Sequence, residues 1–126
     1  MNIKLEPLLN KHQDFLWEML YHAIYIPDGQ EPFPKEIIQQ PDFAKYAENW
    51  ENENDLGLLA INKKTDEKVG AVWSRLFTRN NKGYGYIDNN TPELSISLLP
   101  AYRGKGIGTI LLEKSSVFLI PSLSRN

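Results

Sequence analysis

The sequence predicts an α/β fold, a single domain over residues 1–126 in which strands and helices meet at one glycine-rich turn. Residues Glu93 to Leu99 alternate polar and apolar side chains, as a half-buried strand does. After about Gly106, apolar residues recur near helical spacing, which predicts a helix starting there. Three glycines separate the two elements. Because each segment has its own period, the fold class follows from the pattern.

The other elements are predicted in chain order from the same two periods. A first strand is expected over Ile3 to Pro7, and a helix over about 11–25, preceded by a possible capping box of Asn10 and Gln13. Further elements are expected as a short helix near 34–40, a helix from Pro41 to about Asn49, a strand over Leu56 to Ile61 and a strand over Val69 to Phe77. The last of these places Val69, Ala71, Trp73, Arg75 and Phe77 on one face.

Composition excludes several classes of function. The 126 residues carry a net charge of −2 without a basic block, so no nucleic-acid partner is expected. The absence of cysteine excludes disulfides, a thiolate nucleophile and cysteine-ligated zinc, and two histidines without clustered carboxylates predict no metal site. No apolar run has the length of a signal peptide core or a membrane span, so a cytoplasmic protein without membrane attachment is expected.

The turn at residues 100–109 has the chemistry of a phosphate site. The first amides of a helix lack internal partners, and the helix dipole adds partial positive charge there. Gly104, Gly106 and Gly108 let a phosphate approach the backbone closely, and Arg103 and Lys105 add side-chain charge. The dinucleotide fingerprint fails on spacing, and the nucleoside-triphosphate loop is absent.

The pattern Arg103-x-x-Gly106-x-Gly108 resembles the acetyl-CoA signature of the GNAT superfamily, the GCN5-related N-acetyltransferases. The preceding strand and the lead-in Pro100-Ala101-Tyr102 fit the same family, as does the order of elements along the chain. The resemblance implies a mixed, mostly antiparallel sheet flanked by helices, with acetyl-CoA as co-substrate and no metal. The implied cofactor-binding residues are Leu98, Leu99, Arg103, Gly104, Lys105, Gly106, Ile107, Gly108 and Thr109.

The resemblance also implies an acetyl transfer to a primary amine on a small molecule or peptide. By position, the Leu98 amide is the expected oxyanion donor and Glu93 the expected general base. A solvated strand end is an equal alternative for Glu93. For Leu98 the oxyanion role is favoured over the alternative of a paired core residue. Tyr102 is expected to pack beside the turn.

Three residues are expected to line the acceptor pocket: Tyr25, Trp73 and Arg75. An arginine on an apolar strand face needs an anionic partner, for which Glu93, the C-terminal carboxylate or an acidic acceptor are candidates. The aromatic stripe Phe43/Tyr46/Trp50 is more typical of a core. His22 is expected to be packed or solvated and without a role in the site.

The end of the chain departs from the family. No fifth strand or later helix follows the phosphate turn, and Pro121 argues against a central strand there. The chain is therefore expected to be truncated, which leaves open a non-catalytic CoA-binding or dimer-forming remnant as the alternative to an active enzyme. The uncovered edge of the fourth strand and the apolar tail 117–120 predict a homodimer.

Overall fold

Within the described part of the chain, the sheet has four antiparallel strands in the order in which they occur in sequence. The computed structural model describes residues 2–24, 29–51, 55–77 and 92–124, with side chains up to residue 115 in the last range. The strands are β1 (Ile3–Pro7), β2 (Leu56–Asn62), β3 (Glu67–Arg75) and β4 (Glu93–Leu98). Within the described residues β4 pairs with β3 on one side and has an open edge on the other. This confirms the mixed α/β class and its antiparallel sheet.

Among the residues that the structure describes, three α-helices flank the sheet: α1 (Gln13–Ala23), α2 (Pro41–Ala44) and α3 (Ile107–Ser124). Short 3-10 segments cover Asn10–His12, Lys35–Gln39 and Pro100–Tyr102. The helix expected from Pro41 to Asn49 is thus one α-turn followed by hydrogen-bonded turns. The final helix continues through Pro121 to Ser124.

The start of α1 differs from the predicted capping box. The Leu9 N–H donates to Nδ1 of His12 at 3.0 Å, so His12 fulfils the role expected of Gln13. The Gln13 side chain instead reaches across to the turns after α2, where its Nε2 donates to the Ala47 carbonyl and its Oε1 accepts from the Trp50 N–H, at 2.7 and 2.8 Å. Gln13 therefore fastens α1 to a distant segment, which no local pattern could indicate.

One face of the sheet packs against α1 and the segment after α2. Its core includes Leu16 and Met19 of α1, Trp50, and Trp73 of β3. The indole N–H of Trp50 donates to the Leu8 carbonyl at 2.8 Å, and that of Trp73 to the Tyr46 carbonyl at 2.9 Å. Burying these apolar side chains is the main stabilising term, and the two bonds remove the cost of burying their polar atoms.

The opposite face packs against α3, through Ile107 and Leu111. A β-bulge shifts the register of β2 and β3 between Ala60 and Ile61. As a result Val69 belongs to the core of the α3 face together with Val72, and not to the face of Trp73 as its alternation predicted. A single extra residue is enough to invert a side chain's face, because strand periodicity is two.

Candidate active site

The phosphate turn has the backbone shape that its glycines predict. Gly104 and Gly106 have φ angles of +73° and +85°, in the region that favours glycine. The first α-helical bond of α3 runs from the Ile110 N–H to the Gly106 carbonyl at 3.2 Å. The amides of residues 106–109 therefore precede the helical hydrogen-bond ladder and are directed toward the helix N-terminus. This is the donor arrangement that an anion needs.

The surroundings of the glycines are open. A Cβ placed on Gly104 or Gly106 would meet no atom within 4 Å, and one on Gly108 would meet only Ile96 Cδ1 and Leu98 Cδ1, at 3.7 and 4.0 Å. Packing of the chain itself therefore does not explain the absence of side chains at these positions. The turn presents bare backbone to solvent beside β4.

Arg103 links the phosphate turn to the end of α1. Its Nη2 donates to the His22 carbonyl at 2.9 Å, across 81 positions of sequence. The side chain is exposed, and so is that of Lys105. A guanidinium at this place adds positive charge to the helix N-terminus and lies where an anionic ligand of that terminus would be bound.

Tyr102 packs beside the turn, as expected. Its hydroxyl donates to Oε1 of Glu67 at 2.9 Å and accepts from Nδ2 of Asn62 at 3.2 Å. These bonds attach the 3-10 segment before the turn to the β2–β3 hairpin. Tyr102 therefore holds the turn against the sheet.

Leu98 and Leu99 direct their amides to opposite sides of β4. The Leu99 N–H donates to the Val69 carbonyl at 2.9 Å, so this amide belongs to the sheet. Backbone groups alternate along a strand, so the Leu98 amide is directed away from β3 toward the open edge. Of the two, Leu98 alone presents its amide where a bound molecule could accept a hydrogen bond from it.

A cleft of about 710 Å³ joins these features. It lies between the C-terminal end of α1 on one side and β4 with the phosphate turn on the other. Its lining residues are Tyr21, His22, Ala23, Ile24, Pro32, Ile96, Ser97, Leu98, Pro100, Arg103 and Gly108. The predicted residues Leu98, Arg103 and Gly108 are thus brought to one cleft by separate elements.

Trp73, one of the three residues expected to bind the acceptor, lies elsewhere. Trp73 is 1 % exposed and belongs to the core beneath α1, so it does not line an open pocket. Tyr25 lies outside the described residues. The expectation for Trp73 was wrong because strand alternation identifies the buried face without distinguishing core from cleft.

Arg75 has a partner that the sequence did not suggest. Its Nε and Nη2 donate to the two carboxylate oxygens of Asp55 at 3.1 and 2.8 Å. Further bonds run to the carbonyls of Lys45 and Asn49, and the guanidinium lies 5.3 Å from the Trp50 ring centroid. With these contacts and 8 % exposure, Arg75 is committed to the fold and is not placed to bind an acceptor.

Glu93 lies at the start of β4, paired with Arg75 across the strands and partly buried. It shares the α1 face of β4 with Ser95 and Ser97, but it does not line the cleft. Its expected role as a general base therefore stays a prediction.

The cleft also contains Ser97, to which no sequence pattern pointed, and His22, for which no role in the site was expected. Ser97 is 6 % exposed, and within the described residues its Oγ has no hydrogen-bond partner. His22 stands at the end of α1 with its ring against Tyr21. Burial lowers the pKa of His22, and the positive charges of Arg103 and Lys35 act in the same direction against the opposing effect of Glu18. No short motif marks either residue, because tertiary packing alone places them together.

The described residues also bear on two other classes of site. No group of three or more histidine or acidic side chains there is arranged to hold a metal ion. Among the described helices, none combines the length and the apolar character that crossing a membrane requires.

Comparison with known proteins points to one family. The model of the acetyltransferase (GNAT) family matches residues 17–117. None of the curated protein sequences compared with this chain matches it. Among solved structures, the GCN5-related N-acetyltransferase from Ralstonia eutropha is similar with a TM-score of 0.66 at 11 % identity, over 95 % of this chain and 77 % of that one.

Two more solved structures have the same fold. An acetyltransferase of the GNAT family from Staphylococcus aureus has a TM-score of 0.57 at 21 % identity, over 97 % of this chain and 69 % of that one. A GNAT family acetyltransferase from Brucella melitensis, solved in complex with acetyl-CoA, has a TM-score of 0.57 at 17 % identity, over 96 % of this chain and 70 % of that one.

Proposed function

Since this chain belongs to the GNAT acetyltransferase family, we propose that it binds acetyl-CoA in the cleft beside β4 and transfers the acetyl group to a primary amine. The observation that carries the proposal is the meeting of three features in one cleft: the open N-terminus of α3, the Arg103 side chain and the outward amide of Leu98. Each suits a different part of the co-substrate.

The phosphate turn suits the pyrophosphate. The amides at the start of α3 have no partner within the helix and can donate to phosphate oxygens. The glycines of the turn have no Cβ, so a phosphate can come close to the backbone. The cofactor-binding set proposed here comprises Leu98, Arg103, Gly104, Lys105, Gly106, Ile107, Gly108 and Thr109. Arg103 contributes a charged donor once it exchanges the His22 carbonyl for a phosphate.

The open edge of β4 suits the thioester. Acetyl-CoA supplies an acetyl group activated by its bond to sulfur. An amide directed at the thioester oxygen stabilises the negative charge that develops there as an amine attacks. The Leu98 N–H is directed out of the sheet and is our proposed donor. Leu99, whose N–H is used by β3, is not proposed as a second donor.

Binding is tested by titrating acetyl-CoA into the full chain in a calorimeter. Arg103→Ala is expected to weaken the affinity by about ten- to a hundredfold, because a charged hydrogen bond of about 1.5–3 kcal/mol is lost. The matched control is Lys64→Ala, which removes an exposed cation in the β2–β3 turn, away from the cleft. Equal affinities in wild type and Arg103→Ala would contradict the binding site.

Transfer is tested by following the release of CoA with a thiol reagent across a panel of primary amines. The chain contains no cysteine, so the reagent reports only the released thiol. Acetyl-CoA binding without release on any amine would favour the alternative of a non-catalytic CoA-binding module.

A further inference from the structure

The α1 side of the cleft contains polar groups that the binding of acetyl-CoA does not use. Ser97 follows Ile96 on β4 and turns its side chain to the α1 face, whereas Leu98 turns to the α3 face. His22 reaches the same cleft from the end of α1. A second molecule could therefore meet both residues from the side opposite α3.

Ser97 carries the main evidence for a ligand. A buried hydroxyl normally has a hydrogen-bond partner, since leaving it without one is unfavourable. Ser97 is 94 % buried, and its Oγ lacks a partner among the described residues although Ser115, buried to a similar degree, donates to the Leu112 carbonyl at 3.0 Å. Ser97 also lines the cleft, which places this buried, unpartnered hydroxyl at the cleft wall.

His22 is held in position by its neighbours. Its backbone carbonyl accepts from Arg103, and its ring makes an edge contact with Tyr21 at 5.5 Å between centroids. The Tyr21 hydroxyl in turn donates to the Phe33 carbonyl at 2.5 Å, which attaches the following segment to α1. The charged groups that act on the imidazole are Glu18 on α1, Arg103 in the turn and Lys35 in the 3-10 segment.

We infer that Ser97 and His22 form the acceptor side of the cleft, with the Ser97 hydroxyl binding the acceptor amine and the His22 imidazole taking its proton. The inference rests on the proposed function. It assigns recognition of the amine to a hydroxyl that can accept a hydrogen bond from the amine N–H.

The step balances as follows. The nitrogen of the neutral amine forms a bond to the acetyl carbon, and the carbon–sulfur bond breaks. One amine proton passes to the His22 imidazole and is then returned to the departing thiolate, giving an amide and the free thiol of CoA. The imidazole must start in its neutral form, which burial and the cations beside it favour down to a pH below 6.5.

The first test separates Ser97 from its surroundings. Ser97→Ala is expected to raise the KM for the amine about tenfold while leaving acetyl-CoA affinity and thermal stability unchanged, since one hydrogen bond to the acceptor is lost. Ser115→Ala is the matched control, because Ser115 is a buried serine on α3 that does not line the cleft. An unchanged amine KM in Ser97→Ala would overturn the role of Ser97.

The second test separates His22 from Glu93. His22→Gln retains the backbone carbonyl used by Arg103 and is expected to lower kcat about 100-fold and to remove the acid limb of the pH profile of kcat/KM. Glu93→Gln is expected to retain that limb. The reverse result, with the limb lost only in Glu93→Gln, would make Glu93 the base and overturn the role of His22.

A third readout does not need turnover. The chain has two histidines, so the two imidazole Cε1 proton signals are readily assigned in an NMR spectrum with His12→Asn. Adding an amine to the protein already saturated with CoA is expected to shift the His22 signal and leave that of His12 in place. No CoA release by the wild type would reject the proposed function, whereas release with an unmoved His22 signal would reject this inference alone.

Discussion

Two arginines of this protein, Arg75 and Arg103, differ in how their hydrogen-bond donors are satisfied. Arg75 is buried, and its donors are met by Asp55, Lys45 and Asn49. Arg103 is exposed and donates to one carbonyl at the rim of a cleft that also contains an unpartnered hydroxyl. The difference shows that satisfied polar groups stabilise a fold, whereas groups left open near a cleft are available to a ligand.

The largest effect is expected from breaking the buried pair. Asp55→Ala leaves the Arg75 guanidinium buried without its carboxylate and is expected to lower the free energy of unfolding by about 3–5 kcal/mol. Urea denaturation measures this change. Glu6→Ala, which removes the half-exposed partner of Lys4, is expected to lower the free energy of unfolding far less, because solvent screens this pair.

A double variant sharpens the interpretation. Asp55→Leu with Arg75→Met replaces both charges by apolar side chains and is expected to recover most of the lost stability. If Asp55→Ala alone proved as mild as Glu6→Ala, the ion pair would be solvated in solution and the contrast with the cleft would fail.

The second effect concerns the phosphate turn. Gly106→Val places a branched side chain at a φ of +85° and is expected to cost about 1–3 kcal/mol of stability while weakening acetyl-CoA binding at least tenfold. Gly29→Val is the matched control, because Gly29 has a φ of +83° and similarly open surroundings but lies outside the turn. Calorimetric titration should show weakened binding in Gly106→Val alone, and equal losses in both variants would trace the effect to folding.

The third effect concerns the open edge beside the cleft. A homodimer paired through β4 remains a prediction, and the exposed side chain of Leu94 on this strand is compatible with it. Light scattering after size exclusion at micromolar concentration is expected to give twice the monomer mass, and Leu94→Lys the monomer mass. Because the same edge is proposed to hold the thioester, saturating acetyl-CoA is expected to shift the wild type toward monomer. A wild-type monomer throughout would refute the dimer.

The smallest effect is a dependence of stability on pH. Burial lowers the pKa of His12, helped by Lys11 and Lys68, and its Nδ1 accepts from the Leu9 N–H only while unprotonated. The unfolded chain therefore binds more protons than the folded chain below pH 6.5. The contribution of His12 to stability is fully present above pH 6.5. It is lost as the pH falls from 6.5 through the lowered pKa of the folded state. His12→Asn should flatten this part of the urea-midpoint profile, and an unaltered slope would exclude His12 as its cause.

The strands, the helices and the phosphate turn could be predicted from local sequence. Strand alternation in Glu93–Leu98, the positive φ angles of Gly104 and Gly106, and the start of α3 next to them depend on residues close in sequence. For the same reason the motif around Arg103 was sufficient to predict the family. Errors arose where one residue changed a register, as Val69 did at the β-bulge.

Only the tertiary structure decided which polar groups are satisfied. Asp55 meets Arg75 across 20 positions of sequence, and Arg103 meets the carbonyl of His22 across 81. Ser97 lines a cleft and Trp73 lies in the core, and the difference depends on how much of the sheet α1 covers. Strand alternation in the sequence carries no information about that coverage. Local patterns specify backbone shape and the face of a side chain, whereas hydrogen-bond partners and clefts arise from segments that the folded chain brings together.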